Sequence, residues 1–280
     1  MGQKMKKILF IFITLISSTA LAARHGATEQ ELIEVGGSTE EIAQCLNEKF
    51  KEYNPPVPLQ EKLKQIFNDQ DLFTKLEESK NPKALLESQG LKVIQLRSPA
   101  DTVVVEHPRL PGYVIKFMRI SAPKVSKTKL RGTFRTPKIS DRVVHAQEIE
   151  HIINEKKLKY IGVPHKYFYC IRDIATVIAE KIQASTRTFK NLTEQEIKEI
   201  LTVVVEAEGM LDIRIRNMII TKNKIIFIDT EHAKTDNWWS IIKKYLDELK
   251  KAVNPRYHYL LDRFKKTQEK KARERHHKHK

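Results

Sequence analysis

Three polar residues in the C-terminal third of the chain have the types and spacing of a site for metal binding and proton transfer. Asp212 lies five residues before Asn217, and Asp229 lies twelve residues after it, at the end of an Ile-Ile-Phe-Ile run. A hairpin between Asn217 and Asp229 would place an amide oxygen and a carboxylate on adjoining strands, where both can bind a hard cation such as Mg²⁺. Asp212, before the hairpin, could accept the proton of a hydroxyl group. The pattern therefore indicates a cation site next to a general base.

In this segment, residues 209–231, the sequence resembles the kinase-like phosphotransferases, and within them the aminoglycoside phosphotransferase and choline kinase type. Those families carry a loop aspartate, four residues and then an asparagine, followed by a hairpin that ends in Ile-Asp. The resemblance implies that Asp212 is the catalytic base and that Asn217 and Asp229 are Mg²⁺ ligands. It also implies ATP as the phosphoryl donor, with positioned oxygens and charges supplying most of the catalysis.

Further upstream, the chain contains candidates for the other parts of such a site. A Tyr-Val-Ile-Lys sequence ends at Lys116 and resembles the third-strand element of kinases, whose lysine pairs with the nucleotide phosphates. Glu148 on the following helix is the candidate ion-pair partner of Lys116, with Glu150 as an alternative. The backbone at Glu180 and Ile182 resembles the hinge between lobes and would hydrogen-bond an adenine edge.

Several positions depart from the family pattern. The loop at residues 97–101 has no glycine, where a glycine-rich loop would cover the phosphates. Met210 and Leu211 replace the residues that precede the catalytic aspartate, and Thr230 replaces the aromatic residue that follows the metal-binding one. These departures favour an alternative function, a binding module of the pseudokinase kind that keeps the fold without turnover.

The order of predicted elements indicates the fold class. Hydrophobic periodicity and turn residues predict three strands, a helix, two strands, a helix, a short hairpin and closing helices. Their predicted bounds are 91–96, 102–106, 113–118, a helix from 140, 166–170, 176–182, 193–208, 217–221 with 224–228, 238–252 and 256–266. This order predicts an α+β protein, an antiparallel sheet lobe followed by a reduced helical lobe, and the resemblance implies that it is kinase-like.

The first residues predict a cleaved signal peptide, and the rest divides into three parts. Residues 1–22 combine a basic start, an apolar run and an Ala-Leu-Ala end, which predicts cleavage before Ala23 and a secreted or periplasmic protein. The apolar run is too short to cross about 30 Å of hydrocarbon, and no transmembrane segment is expected in the mature chain. Residues 23–84 are predicted as a helical extension, 85–262 as the kinase-like domain and 263–280 as a basic, disordered tail.

The charge of the chain is strongly positive and concentrated at its end. The formal net charge is +16, and residues 263–280 hold nine lysines and arginines against two glutamates. This tail and the basic loop at residues 119–139 leave a third possibility, an exported protein that binds an anionic surface or polyanion. The expected partners are otherwise a nucleotide and an acceptor, protein or small molecule, that the sequence does not identify. Cys45 and Cys170 permit one disulfide after export, and the sequence leaves their pairing open.

Overall fold

In the described part of the chain, the centre of the molecule is a five-stranded antiparallel sheet with the order β2-β3-β4-β8-β7. The structure is a computed structural model that describes residues 32–35, 39–96, 102–120, 132–135, 138–207, 214–230 and 238–278. In chain order, the strands are β1 (Leu32–Val35), β2 (Lys92–Gln95), β3 (Val103–Glu106), β4 (Tyr113–Arg119), β5 (Gly132–Arg135), β6 (Ile161–Gly162), β7 (Lys166–Ile171), β8 (Ile174–Glu180), β9 (Met218–Ile220) and β10 (Ile225–Phe227). The helices are α1 (Thr39–Lys49), α2 (Val57–Ile66), α3 (Leu72–Glu78), α4 (Pro82–Ser88), α5 (Lys138–Glu155), α6 (Glu194–Glu206), α7 (Trp238–Ala252) and α8 (His258–Lys278), with 3-10 turns at Lys51–Tyr53, Phe189–Asn191, Ile215–Asn217 and Pro255–Tyr257.

This arrangement confirms the predicted fold class. It is α+β, with an antiparallel sheet followed by a mostly helical part. The helix that follows β4 was predicted from Ser140, and it begins two residues earlier as α5. Helix α6 begins with a capping box: the Thr193 hydroxyl accepts the amide of Glu196 at 3.3 Å, and the Glu196 carboxylate accepts the amide of Thr193 at 2.8 Å.

One face of the five-stranded sheet is covered by the N-terminal extension. Alternating residues of a strand point to opposite faces, and Ile115 and Phe117 of β4 share the face that α2, α3 and α4 pack against. The ring of Phe117 lies 5.0 Å from that of Phe67 and 6.0 Å from that of Phe73, both edge-on. All three side chains are at most 2 % exposed. The extension therefore shares a hydrophobic core with the sheet.

The opposite face packs against α1 and α5. Leu46 of α1 and Val143 of α5 are fully buried together with Phe168 of β7. The side chain of Asn47 also binds the edge strand β7, accepting the amide of Cys170 at 2.7 Å and donating to its carbonyl at 2.9 Å. Helix α1 thus satisfies backbone groups that an edge strand would otherwise leave open.

The two cysteines are free thiols, so no disulfide joins Cys45 to Cys170. Cys170 is buried, and burial raises the pKa of its thiol far above the ordinary value. Cys45 is partly exposed on α1.

Three strands of the described chain lie where the sequence predicted none: β6, which pairs with β10, and β1 and β5, which pair with each other. β1 belongs to the extension that was predicted to be helical, and β5 belongs to the basic loop at residues 119–139. They pair antiparallel over their whole length, with Leu32 opposite Arg135 and Val35 opposite Gly132. Backbone pairing between segments so distant in sequence leaves no local pattern from which it could be predicted.

The C-terminal part is built around the hairpin of β9 and β10. β6 pairs parallel with β10, and the buried side of this small sheet contacts α6, α7 and α8. Three ion pairs connect α7 and α8, namely Lys250 with Asp262 at 2.6 Å, Asp247 with Lys265 at 3.0 Å and Lys243 with Glu269 at 2.8 Å. Residue numbers rise along one helix as they fall along the other, so the two helices run antiparallel.

The last helix corrects the prediction for the C-terminal tail. Residues 263–280 were predicted to be disordered because of their charge, whereas α8 continues to Lys278. The contacts of α8 with α7 explain part of this difference, since acidic side chains offset some of the positive charge. Within the described residues, no helix combines the length and the apolar character needed to cross a bilayer. The predicted signal peptide, residues 1–22, lies outside those residues.

Candidate functional site

The β9–β10 hairpin brings two of the predicted site residues to its open end, Asn217 just before β9 and Asp229 two residues after β10. Met218 pairs with Phe227, and the next pair is closed by the amide of Ile228, which donates to the carbonyl of Asn217 at 2.9 Å. Asp229 follows directly. Asn217 is 9 % exposed, so its amide group is held at the base of the hairpin. The spacing of twelve residues therefore places Asn217 beside the segment that carries Asp229.

Lys116 of the five-stranded sheet lies close to Asp229, which follows the β9–β10 hairpin of the C-terminal part. Lys116 lies on β4, the third strand of the five-stranded sheet, and its Nζ is 3.9 Å from Oδ1 of Asp229. Their side chains are 19 % and 20 % exposed. The structure thus joins the residue predicted to clamp a phosphate with one predicted to bind a metal, and solvent still reaches both.

The strongest contact of Asp229 is with Arg142, which sequence reasoning missed. Arg142 lies in the first turns of α5, and its Nη1 donates to Oδ1 of Asp229 at 2.6 Å. Its side chain is only 9 % exposed. An arginine–carboxylate contact this short is a charge-assisted hydrogen bond and is among the stronger polar interactions in proteins. Asp229 is therefore already bound by a cationic group of the protein.

Lys166 adds a third basic side chain to this network. It is the first residue of β7 and is 4 % exposed, and its Nζ donates to the Ile228 carbonyl at 3.2 Å and to the Thr230 hydroxyl at 2.8 Å. Burial lowers the pKa of Lys166 well below its ordinary value. The positive charges of Lys116 and Arg142 act in the same direction, and Asp229 opposes them.

Thr230 connects these residues to α5. Its side chain is fully buried, its hydroxyl donates to the carbonyl of Arg142 at 2.5 Å, and its own carbonyl lies 2.9 Å from Nδ1 of His145. A small hydroxyl residue thus occupies the position after Asp229, where the family pattern has an aromatic residue. It fixes the backbone of α5 beside Asp229 and supports the orientation of Arg142.

For Glu148, the predicted ion-pair partner of Lys116, the described interaction is with Tyr53. Glu148 is partly buried on α5, and its charge helps to raise the pKa of Tyr53 to about 12, after burial of the phenol and the charge of Glu52. Glu150, the alternative, is exposed. The described ion pair of Lys116 is the one with Asp229. The pairing of Lys116 with Glu148 stays a prediction.

The predicted hinge residues lie at the end of β8, with Glu180 as the last residue of the strand and Ile182 just beyond it. The amide of Glu180 donates to the carbonyl of His165 at 3.1 Å, and the amide of Lys181 donates to the carbonyl of Gly112 at 2.7 Å. A 2.9 Å ion pair between Lys181 and Glu106 holds the segment against β3. Since the Glu180 amide is used within the sheet, an adenine contact at this residue would involve its carbonyl. The roles of Glu180 and Ile182 remain predictions.

The predicted catalytic base, Asp212, lies outside the described residues, as does the loop at residues 97–101. Among the residues that are described, no group of three or more His, Cys, Asp or Glu side chains could hold a metal ion. Asp229 lies between the cationic groups of Arg142 and Lys116. Because these charges repel a dication, the described surroundings of Asp229 do not fit the predicted role of Mg²⁺ ligand.

A cavity of about 670 Å³ lies elsewhere, at the end of the sheet where β7 turns into β8. Its lining includes Glu40, Asp71 and Asp173. Arg119 partly neutralises it through ion pairs with Glu77 at 2.9 Å and Asp173 at 3.6 Å. We place the candidate site at Asp229 rather than in this cavity, because the reactive and cationic side chains converge there.

No protein-family model matches this chain, and no curated protein matches it. The structure is similar to the crystal structure of the kinase domain of Mycobacterium tuberculosis PknI, with a TM-score of 0.25 and 11 % identity over 52 % of this chain and 59 % of that one. A mutant of the same domain matches with a TM-score of 0.26 and 11 % identity, over 53 % of this chain and 62 % of that one. The chain thus spans about three fifths of the length of these kinase domains. The function of this chain is therefore inferred from its own residues.

Proposed function

We propose that this chain is a kinase-like protein that binds the phosphate groups of a nucleotide beside Asp229 and acts by binding rather than by phosphotransfer. The observation that supports this most is the 2.6 Å bond between Arg142 and Asp229, next to Lys116. In the kinase-like phosphotransferases that the sequence resembles, the corresponding aspartate binds the catalytic metal. Here it positions an arginine instead, and an arginine favours phosphate.

The chemistry of the site suits an anionic ligand. Lys116 and Arg142 supply ammonium and guanidinium donors around one carboxylate in the described network, and the amine of Lys166 lies beside them. Burial lowers the pKa of Lys166 most, the charges of Lys116 and Arg142 lower it further, and a phosphate placed among these groups would oppose the effect of those charges. The side chains of Lys116 and Asp229 are about one fifth exposed, so a ligand can approach the network from solvent.

Calorimetric titration of the purified protein with ADP and ATP tests the proposal. We expect binding that weakens at least about tenfold in Lys116→Met, because an ion pair to phosphate is removed. Lys222→Met is the matched control: it removes the same charge from the exposed turn of the β9–β10 hairpin and should bind like the wild type. A wild-type protein that binds neither nucleotide would overturn the proposal.

A Mg²⁺- and ATP-dependent phosphotransferase is the second candidate. The position of Asn217 beside Ile228, one residue before Asp229, favours it, since the order and spacing of the catalytic pattern are kept. Asp212 would then be the base. ATP consumption that disappears in Asp212→Asn would support this candidate and contradict a function limited to binding. Its acceptor would still have to be identified.

The predicted signal peptide extends either candidate to a protein that works outside the compartment where it is made. Because the periplasm and the extracellular space hold little ATP, export would direct the protein to a host cell or to a eukaryotic secretory compartment. Mass spectrometry of the secreted protein should find an N-terminus at Ala23. An intact N-terminus on cell-associated protein would contradict export.

A further inference from the structure

We infer that nucleotide binding at this site is independent of divalent metal, with the guanidinium of Arg142 supplying the positive charge that Mg²⁺ would otherwise bring to the phosphates. The inference rests on the proposed function. It goes further by naming the residue that replaces the metal and the ionic form of the ligand, a free nucleotide rather than its magnesium complex.

The geometry of Arg142 suits this role. A guanidinium has five N–H donors in a fixed planar fork, and one of its nitrogens, Nη1, is bound to Oδ1 of Asp229 at 2.6 Å. Asp229 thus orients the guanidinium of Arg142. In the phosphotransferases that the sequence resembles, the corresponding carboxylate holds a metal ion instead. Because the Arg142 side chain is 9 % exposed, its charge is screened less by water than that of a surface arginine.

The backbone around Arg142 is held in place from the same side. The carbonyl of Arg142 accepts the hydroxyl of Thr230 at 2.5 Å, and the carbonyl of Thr230 lies 2.9 Å from His145, one turn further along α5. These two contacts fix α5 to the residue that follows Asp229. Arg142 therefore belongs to the built part of the site, and a preorganised cation loses little freedom when a phosphate binds.

A dication in this position would meet opposing charges. It would have to approach Oδ1 of Asp229, which Arg142 already contacts and from which the Lys116 ammonium is 3.9 Å distant. The buried Lys166 donates to the carbonyl of Ile228, just before Asp229, and to the hydroxyl of Thr230, just after it. A magnesium ion would bring its own charge into a network that is already basic, whereas a nucleotide phosphate would balance that network.

Titration of the protein with ADP in EDTA and in excess MgCl₂ separates the possibilities. We expect the wild type to bind at least as tightly in EDTA as in MgCl₂. In Arg142→Gln, the affinity in EDTA should fall at least about tenfold and MgCl₂ should restore part of it, while Arg142→Lys keeps the charge and should stay independent of metal. Arg119→Gln is a change of the same type at the C-terminal end of β4, where Arg119 pairs with Glu77, and it should leave both affinities unchanged.

Two results would separate a wrong inference from a wrong function. Tight binding in MgCl₂ with loss of binding in EDTA would overturn the inference and leave nucleotide binding standing. No binding under either condition would overturn the proposed function, and the inference with it. If Arg142→Gln does not fold, as judged by circular dichroism, the wild type alone can be tested by electron paramagnetic resonance of Mn²⁺. Protein that binds Mn²⁺ in the presence of ADP, beyond the Mn²⁺ that ADP itself binds, would refute the inference.

Discussion

The ion pair between Arg142 and Asp229 can be tested by a double-mutant cycle. Arg142→Met and Asp229→Asn, singly and together, remove the two charges while keeping similar side-chain volumes. Nη1 and Oδ1 are 2.6 Å apart, and the side chains are 9 % and 20 % exposed. The cycle isolates the coupling of this one pair from the other contacts of either residue.

The expected coupling follows from distance and burial. Unit charges at about 4 Å interact by about 4 kcal/mol at an effective dielectric constant of about 20. A hydrogen bond to a charged group contributes about 1.5–3 kcal/mol net of desolvation. Because Asp229 keeps some exposure and Lys116 also attracts it, we expect a coupling of about 2–3 kcal/mol. Urea denaturation followed by circular dichroism measures it.

The pair between Lys64 and Glu61 is the matched control. Its atoms are 2.8 Å apart, nearly the same distance, but the side chains are 49 % and 57 % exposed. We expect a coupling of about 0.5 kcal/mol or less, weakened further by salt, whereas the coupling of Arg142 with Asp229 should persist in salt. A coupling below about 0.5 kcal/mol for Arg142 and Asp229 would refute the argument that the protein's own cation holds this carboxylate.

Three further predictions concern the core, the thiols and the buried lysine. Phe73→Ala should cost about 3–5 kcal/mol in a single urea transition, because the ring is 2 % exposed and packs on the sheet, while Val57→Ala, at a site 66 % exposed, should cost less than about 0.5 kcal/mol; two separate transitions would show that the extension is an independent unit. Ellman's reagent should find one reactive thiol in the native protein, Cys45, and a second, Cys170, only after unfolding, since burial raises the pKa of Cys170; two fast-reacting thiols would contradict this. The folded-state pKa of Lys166 is lowered, so the unfolded chain binds more protons below the ordinary lysine pKa of about 10.4. The stability of the wild type relative to Lys166→Met should therefore rise as the pH increases toward the ordinary lysine pKa, by at most about 1.4 kcal/mol per pH unit, and a flat difference would refute the lowered pKa.

The order of helices and strands follows from local sequence patterns. Capping residues such as Thr193 with Glu196 and the apolar run before Asp229 gave element positions within about two residues of those in the structure. The resemblance also assigned Lys116 and Asp229 to one site, but the ion-pair partner that it gave Lys116 was Glu148, whereas the described partner is Asp229. The α+β fold class is confirmed on the same grounds.

The basic residues of the site could not be found in this way. Arg142 follows Asp141 near the start of a helix and Lys166 follows His165 at the start of a strand, and a charged residue in such a place is usually a side chain that reaches water. Only the fold shows that both are buried, because their partners, Asp229 and Thr230, are distant in sequence. One signal was available: Thr230 breaks the family pattern, and it is the residue that holds both.

The rings of Phe67, Phe73 and Phe117 have a consequence for how the chain can be divided. A fragment that starts at the predicted domain boundary, residue 85, would leave Ile115 and Phe117 facing water, and a bare apolar sheet face of this kind drives aggregation. The same layer supports the strand that carries Lys116. Residues 57–88 are thus one wall of the domain and α1 covers the opposite face, so the smallest unit expected to fold and to present the proposed phosphate site includes residues 39–88.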